Sequence, residues 1–274
     1  MLYRHFPKIA NKEFSILTPS LAGVDDPALL AELLASAADL GINLIYAGSD
    51  PARAAFIKET ARKAAPGYQF SFVVKCLARD GAGLSEFLEK SGAGADDLVA
   101  LTATGEIAHA AARAKASLLI AGYGFSAPTE LAPEGGETCD PAAVMAAIEA
   151  HPGWDFCAIP LNYLSDGLDA AIARAAEDEI AIVSTDPLAG GRLQSVPPEV
   201  HEFFRNAPVP RAHDEWALRA VWELQEVATV ALQTPSKDIL VREAIYAEAG
   251  RANSLPSREL SVIEAAARAI LKKN

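Results

Sequence analysis

Two apolar runs in this chain end in side chains that can move protons. GINLIYA, residues 41–47, carries Tyr46 next to its end, and QFSFVVKC, residues 69–76, carries Lys75 next to its end. A lysine desolvated among apolar neighbours can act as an acid–base group or as an amine nucleophile. The bland alternative is a lysine neutralised by a carboxylate, for which Asp50 and Asp186 stand at comparable positions, since an unpaired buried ammonium is costly. A cation within about 4–6 Å favours phenolate. Tyr46 on the strand next to Lys75 would then have a lowered pKa and serve as a proton donor; otherwise it is an aromatic plug.

A second group of residues suits an anion. Ser236, in TPS at 234–236, precedes an amphipathic segment and can cap a helix whose N-terminus accepts negative charge. Gly190 and Gly191 permit either a close backbone approach to a pyrophosphate or a simple turn. Arg192, beside them, can meet a phosphate or a surface carboxylate. His5, His109, His151, His201 and His213 show no ligand spacing such as HExxH, and Cys76, Cys139 and Cys157 form no CxxC, so no metal centre is expected.

Bulk properties narrow the class. The chain has 274 residues, 51% hydrophobic and 22% charged, and a net charge of -12, with a pI near 4.9. So acidic a surface repels phosphate backbones, which argues against nucleic acid as a partner. No apolar run approaches the ~18 residues of a membrane span. MLYRHFPKIANKEFSIL lacks the apolar run of a signal peptide, and three scattered cysteines suit a reducing cytoplasm. The length fits one domain over 1–274.

The elements that must position these residues alternate along the chain. Asp26, Pro27 and Gly41 bracket a first helix whose buried stripe is expected to run through Leu29, Leu30, Leu33, Leu34, Ala37 and Leu40. Strands are expected at SILTP, 41–47, 69–76, 97–103, 117–123, 156–161, 179–185 and 227–232. Helices are expected at 51–65, 83–90, 105–115, 141–151, 167–177, 212–225, 236–249 and 256–272. Residues 127–140 read as a solvated loop or a lid over the mouth. Residues 186–211, rich in proline, read as a long loop with a short helix. Eight apolar strands, most followed by a helix, predict a closed (β/α)8 TIM barrel with function at the C-terminal strand ends. A doubly wound sheet is the rival, but its Gly-rich phosphate turn is missing.

Seven phrases, in order, resemble the aldo-keto reductase family. MLYRHFPKIANKEFSIL resembles its N-terminal hairpin, GINLIYA its GIN-Tyr/Phe-Asp-Thr-Ala phrase, FVVKC its strand ending in Thr-Lys, and GYGFS its Gly-Phe-Ser. WDFCAIPLNYL, AIVSTDPLAGGRL and DEWALRAVWELQEVATVAL resemble the family's later strands and loops. The resemblance implies hydride transfer from NADPH to a carbonyl, with a tyrosine as general acid supported by a lysine, an aspartate and a histidine. Here Lys75 keeps the lysine position. Tyr46 stands in the aspartate position, Pro51 in the tyrosine position and Thr102 in the histidine position. Proline has no proton to give, and a threonine hydroxyl is too weak an acid to replace imidazole. At the nicotinamide, Ser126 is kept, Ala127 and Ala158 replace amide side chains, and Thr185 replaces a stacking aromatic. Leu188, Gly190 and Arg192 take cofactor-facing positions, and Ser236 stands in the phosphate loop. Arg242 lies one position, about 100° of helix, from the family's arginine. The cysteine-rich tail of iron–sulfur members has no counterpart in LKKN.

The sequence therefore predicts an aldo-keto reductase-like barrel without ordinary NADPH-dependent carbonyl reduction, a pseudoenzyme or a barrel that binds a small molecule at its mouth. NADP is the cofactor the resemblance brings, with most of its nicotinamide contacts replaced. The alternatives are an oxidoreductase using Tyr46 and Lys75, or a lyase or isomerase acting through Lys75.

Overall fold

A computed structural model of the chain describes residues 1–132 and 135–272; Pro133 and Glu134 of the insert, and Lys273 and Asn274 of the LKKN tail, lie outside the described residues. In order, the elements are β1 (Tyr3–His5), β2 (Glu13–Ser15), β3 (Leu17–Ser20), α1 (Pro27–Asp39), β4 (Leu44–Gly48), α2 (Pro51–Ala64), β5 (Ser71–Cys76), α3 (Gly81–Ser91), β6 (Leu98–Leu101) and α4 (Glu106–Ala116). Then come β7 (Gly122–Ser126), β8 (Glu130–Leu131), β9 (Glu137–Thr138), α5 (Pro141–Ala150), β10 (Phe156–Ile159), α6 (Asp169–Glu177), β11 (Ala181–Ser184), α7 (Pro198–Arg205), α8 (His213–Trp222), β12 (Val227–Gln233), α9 (Lys237–Ala247) and α10 (Ser257–Leu271). Strands β3, β4, β5, β6, β7, β10, β11 and β12 pair in parallel and close into an eight-stranded barrel, as the alternating pattern predicts.

The local signals behind this order are mostly Asp–Pro pairs. Asp26, Asp50 and Asp140 each accept from the backbone N–H two residues on, and Pro27, Pro51 and Pro141 occupy the first turn that follows. Along the strands, one set of side chains meets the helices and the alternate set fills the barrel. One expected strand moves. The run SLLIAGY, 117–123, predicts a strand, but β7 begins only at Gly122. Leu118 takes a left-handed φ of 58° in the turn that ends α4, and Leu118 and Leu119 are 77% and 56% exposed. Their amides go to Lys115 O and Ala114 O, so this apolar pair is spent on the helix stop rather than on the sheet.

The β1–β2 hairpin seals the N-terminal end of the barrel. Phe6 and Phe14 stack edge to face at 4.8 Å, and Phe6 meets Phe156 of β10 at 5.9 Å. Gly124 of β7 makes this possible, because a Cβ there would lie 2.1 Å from the Phe156 carbonyl oxygen. Arg4 fastens the hairpin by donating to the carbonyls of Trp222, Leu224, Val227 and Gly250 at 2.5–3.0 Å.

Two buried aspartates staple strands at the same end. Asp97, just before β6, accepts from Phe72 N (3.0 Å), Gly94 N (2.8 Å) and Lys58 Nζ (2.7 Å). Asp155, just before β10, accepts from Tyr123 N and from Lys115. Lys58 is only 4% exposed, and burial pulls its pKa down while Asp97 opposes that shift. Replacing Asp97 by alanine removes this ammonium's counter-charge, leaving only the Gly92 carbonyl, and strands two amides. Asp97→Ala should therefore cost about 3–5 kcal/mol, read as a lower urea midpoint. Glu86→Ala, which breaks the exposed Glu86–Lys90 pair on α3, should leave the midpoint where it is. Equal midpoints for Asp97→Ala and the parent would sink this account.

Candidate functional site

The barrel is open at the C-terminal strand ends. On β5, Val73 belongs to the interior cluster, so Lys75, two residues on, faces the same way. On β4, Leu44 lies inside and Tyr46 packs against the same cluster. Tyr46 pairs in register with Ser20 of β3 and Val73 of β5, and Lys75 with Ala100 of β6. The two residues thus share one sector of the mouth, but no hydrogen bond joins them. The phenol also moves opposite to expectation. Burial, and then the charge of Glu137, push the Tyr46 pKa up to about 12. Desolvation outweighs any help from a neighbouring ammonium, and Tyr46 holds its proton through the neutral range.

Lys75 is half-buried and makes no hydrogen bond or ion pair with a described residue. Neither expected carboxylate reaches it. Asp50 caps α2 through Ala52 N and Arg53 N, and Asp186 accepts from Glu137 N (2.7 Å) and Gly190 N (2.8 Å). Pro51 is the first residue of α2. Thr102 donates to Cys76 O at 3.3 Å, a β5–β6 tie rather than a group aimed at the mouth. Asn162 tethers a loop, donating from Nδ2 to Asp186 O and accepting from Leu164 N.

On the opposite side of the mouth, beyond β11 and β12, a cleft of about 570 Å³ opens. Leu188 and Gly190 line it, as do Thr185, Asp186, Gln194 and Glu243. The insert after β7 forms its other wall. There β8 and β9 pair as a small antiparallel ribbon, and Leu131, Gly136 and Glu137 face the cleft. The described residues of 127–140 are thus neither free loop nor detached lid. Asp186 clasps Glu137 to Gly190. Gly190, at φ 63°, crosses Gly136 so closely that a Cβ on Gly190 would meet Gly136 N at 2.2 Å.

The basic residues expected to meet a cofactor here are turned elsewhere. The cleft lining holds Glu137, Asp186 and Glu243 and, among the described residues, no lysine or arginine. Arg192 lines a neighbouring hollow of about 290 Å³. Arg242 pairs with Asp214 of α8 at 3.0 Å, the outcome of its one-residue rotation on α9. Lys237 faces Glu32 at 3.7 Å. Ser236 caps α9, accepting from Ile239 N at 3.4 Å, but Pro235 rather than Ser236 lines the cleft. Ser126 is buried at the end of β7 beside Ala158, away from the cleft walls.

Sequence reasoning missed Glu243. It lies on the stripe Leu240, Glu243, Ala244, Ala247, whose i, i+3, i+4, i+7 spacing marks the buried face of α9. It is 2% exposed. One oxygen accepts from Thr234 Oγ1 at 3.3 Å. Burial pushes its pKa up to about 8, with Thr234 and Arg242 opposing and Asp214 adding.

Because the folded carboxyl holds its proton to about pH 8 and an unfolded glutamate loses it near 4.3, its contribution to stability is full below the unfolded pKa. It is lost as pH rises through the folded pKa. The parent should thus lose on the order of a few kcal/mol between about pH 4.5 and pH 8 from this group. Glu243→Gln should flatten that slope in urea titrations at several pH values; an unchanged slope would remove the assignment.

No protein-family model and no curated protein sequence matches the chain. Solved structures do. An aldo-keto reductase from Bacillus halodurans in its holo form superposes with a TM-score of 0.76 at 18% identity, covering 97% of this chain and 96% of that one. Its apo form gives 0.73 at 18% identity, with the same coverage. A protein described as a 2,5-diketo-D-gluconic acid reductase B gives 0.72 at 16% identity, covering 97% and 92%. With the closed barrel and its N-terminal hairpin, these likenesses give the chain the aldo-keto reductase fold.

Proposed function

We propose that this chain is a small-molecule-binding barrel that does not carry out ordinary NADPH-dependent carbonyl reduction. The observation that carries the reading is the cleft lined by Glu137, Asp186 and Glu243 without a basic side chain among the described residues. The resemblance assigns this region to a dinucleotide, and a pyrophosphate placed there would meet carboxyl groups rather than cations. The loss of proton-transfer groups at Pro51 and Thr102 agrees with it. A neutral or positively charged ligand suits the walls better, and the volume of about 570 Å³ is that of a small-molecule site.

A second reading rests on Lys75, half-buried and without a partner among the described residues. Such an amine is available to attack a carbonyl and form a Schiff base, as a lyase or isomerase requires. The oxidoreductase variant asks Tyr46 to deliver the proton. A phenol held up to about 12 keeps that proton but gives it up reluctantly, which makes it a poor general acid near neutral pH.

Calorimetric titration with NADPH and NADP+ separates these readings. No heat is expected up to millimolar cofactor, and no loss of NADPH absorbance with a panel of aldehydes and ketones. Binding near 1 μM, worth about -8 kcal/mol, or turnover abolished by Lys75→Met, would overturn the proposal. Borohydride trapping of a carbonyl compound on Lys75, absent in Lys75→Met, would move the assignment to the second reading.

A further inference from the structure

Outside the cleft, two imidazoles meet where α7 and α8 approach. His201 on α7 and His213, the first residue of α8, stand with Nδ1 of the former 2.9 Å from Nε2 of the latter. Their rings are 5.1 Å apart at 82°. The second nitrogen of His213, Nδ1, lies 3.3 Å from the carbonyl oxygen of Gln194. A carbonyl only accepts, so Nδ1 of His213 carries the proton and Nε2 presents a lone pair toward His201. The ring is also held from the side. Phe204 lies 5.5 Å from it and stacks in turn on buried Trp216 at 5.6 Å.

We infer that His201 and His213 form a two-imidazole binding site for a late first-row divalent metal ion, Cu(II) or Ni(II). Two nitrogens at about 2.0–2.1 Å from one ion and cis at 90° lie about 2.9 Å apart, against about 3.4 Å for tetrahedral ligands. The observed separation of 2.9 Å is that of the N–H···N hydrogen bond and equals the span of two cis ligands, so an ion can replace the bridging proton once the rings turn their lone pairs off the N···N line toward it. Imidazole nitrogen is the ligand these ions prefer, and the order of affinities places both above manganese and iron. The Gln194 carbonyl supplies the outer contact that fixes the tautomer of a metal-bound histidine. No group of three or more His, Cys, Asp or Glu among the described residues could hold a metal, so water completes the shell and the site stays open. Binding needs no redox step: the ion takes the place of the proton that His201 Nδ1 donates, and that proton passes to the other nitrogen of the same exposed ring or to solvent. Since Gln194 also lines the cleft, the ion ties α7, α8 and the loop below the cleft into one unit.

The test uses the full-length chain without added histidines. Thermal unfolding is followed with NiCl2, CuCl2 or MgCl2. Tm should rise with nickel and copper and not with magnesium. The rise should vanish in His201→Ala and His213→Ala and persist in His5→Ala, which removes an exposed imidazole elsewhere. His201 is exposed, so its alanine variant should keep the parental circular dichroism. Electron paramagnetic resonance of the Cu(II) complex should show coupling to two imidazole nitrogens in the parent and fewer in His201→Ala. A parent whose Tm ignores nickel and copper, or a rise of equal size in His201→Ala, would overturn the assignment.

Discussion

Closing eight parallel strands into a ring creates an interior that side chains must fill, and the rest of the molecule follows from how this one is filled. At the N-terminal end the filling is aromatic. Phe6 and Phe14 from the hairpin interlock with Phe156, and Gly124 yields the space they need. Arg4 locks the hairpin to four carbonyls. That end is shut. Toward the other end the inward positions include Tyr46 and Lys75 but shrink to alanine at Ala100, Ala158 and Ala231. Three such small side chains leave room that packing at crystal-like density would fill, which favours a hollow at the C-terminal strand ends. The mouth is thus a consequence of core packing before it is a matter of chemistry.

Electrostatics then decide what the hollow can accept. The aspartates of the sealed end are fully used: Asp97 accepts two backbone amides and a lysine, and Asp155 one backbone amide and a lysine. At the open end the carboxyl groups serve differently. Asp186 spends its oxygens on the amides of Glu137 and Gly190 and so builds the cleft wall. Glu243 is kept neutral by burial over most of the physiological range. A neutral carboxyl donates a hydrogen bond as well as accepting one. The cleft therefore presents acceptors, one such donor and a negative charge at Glu137.

The legible part of this structure was the part written locally. Apolar runs of five to seven residues between Asp–Pro helix starts fixed the alternation, and alternation with closure gives the barrel. The phrase SLLIAGY misled because its two leucines carry a strand's composition in a helix-ending turn, where a positive φ at Leu118 sets their direction. The site was harder. The Tyr46–Lys75 sector could be placed by strand register, yet the direction of the phenol's pKa depended on burial and on Glu137, an acid 91 positions away in sequence. The clasp of Asp186 on Glu137 and the crossing of Gly136 with Gly190 have no local signature at all. Glu243 did leave one, a glutamate on the buried stripe of α9, where a polar side chain has to be explained by a partner or a proton. Arg242 shows the converse, since one position of helix rotation carried it from the cleft to Asp214.

Glu137 connects the two halves of the mouth. Its backbone amide is clasped by Asp186 beside the cleft, its side chain belongs to the cleft lining, and its charge helps hold the Tyr46 phenol up to about 12. A positive ligand group settling beside Glu137 would cancel the charge that disfavours phenolate, and the Tyr46 pKa would fall toward its ordinary value. An anionic ligand would do the reverse and would also face Glu137 unscreened. The ribbon that carries Glu137 therefore couples the cleft wall electrostatically to Tyr46 on β4, and under the proposed ligand-binding reading the two sectors would respond together to the charge of whatever enters.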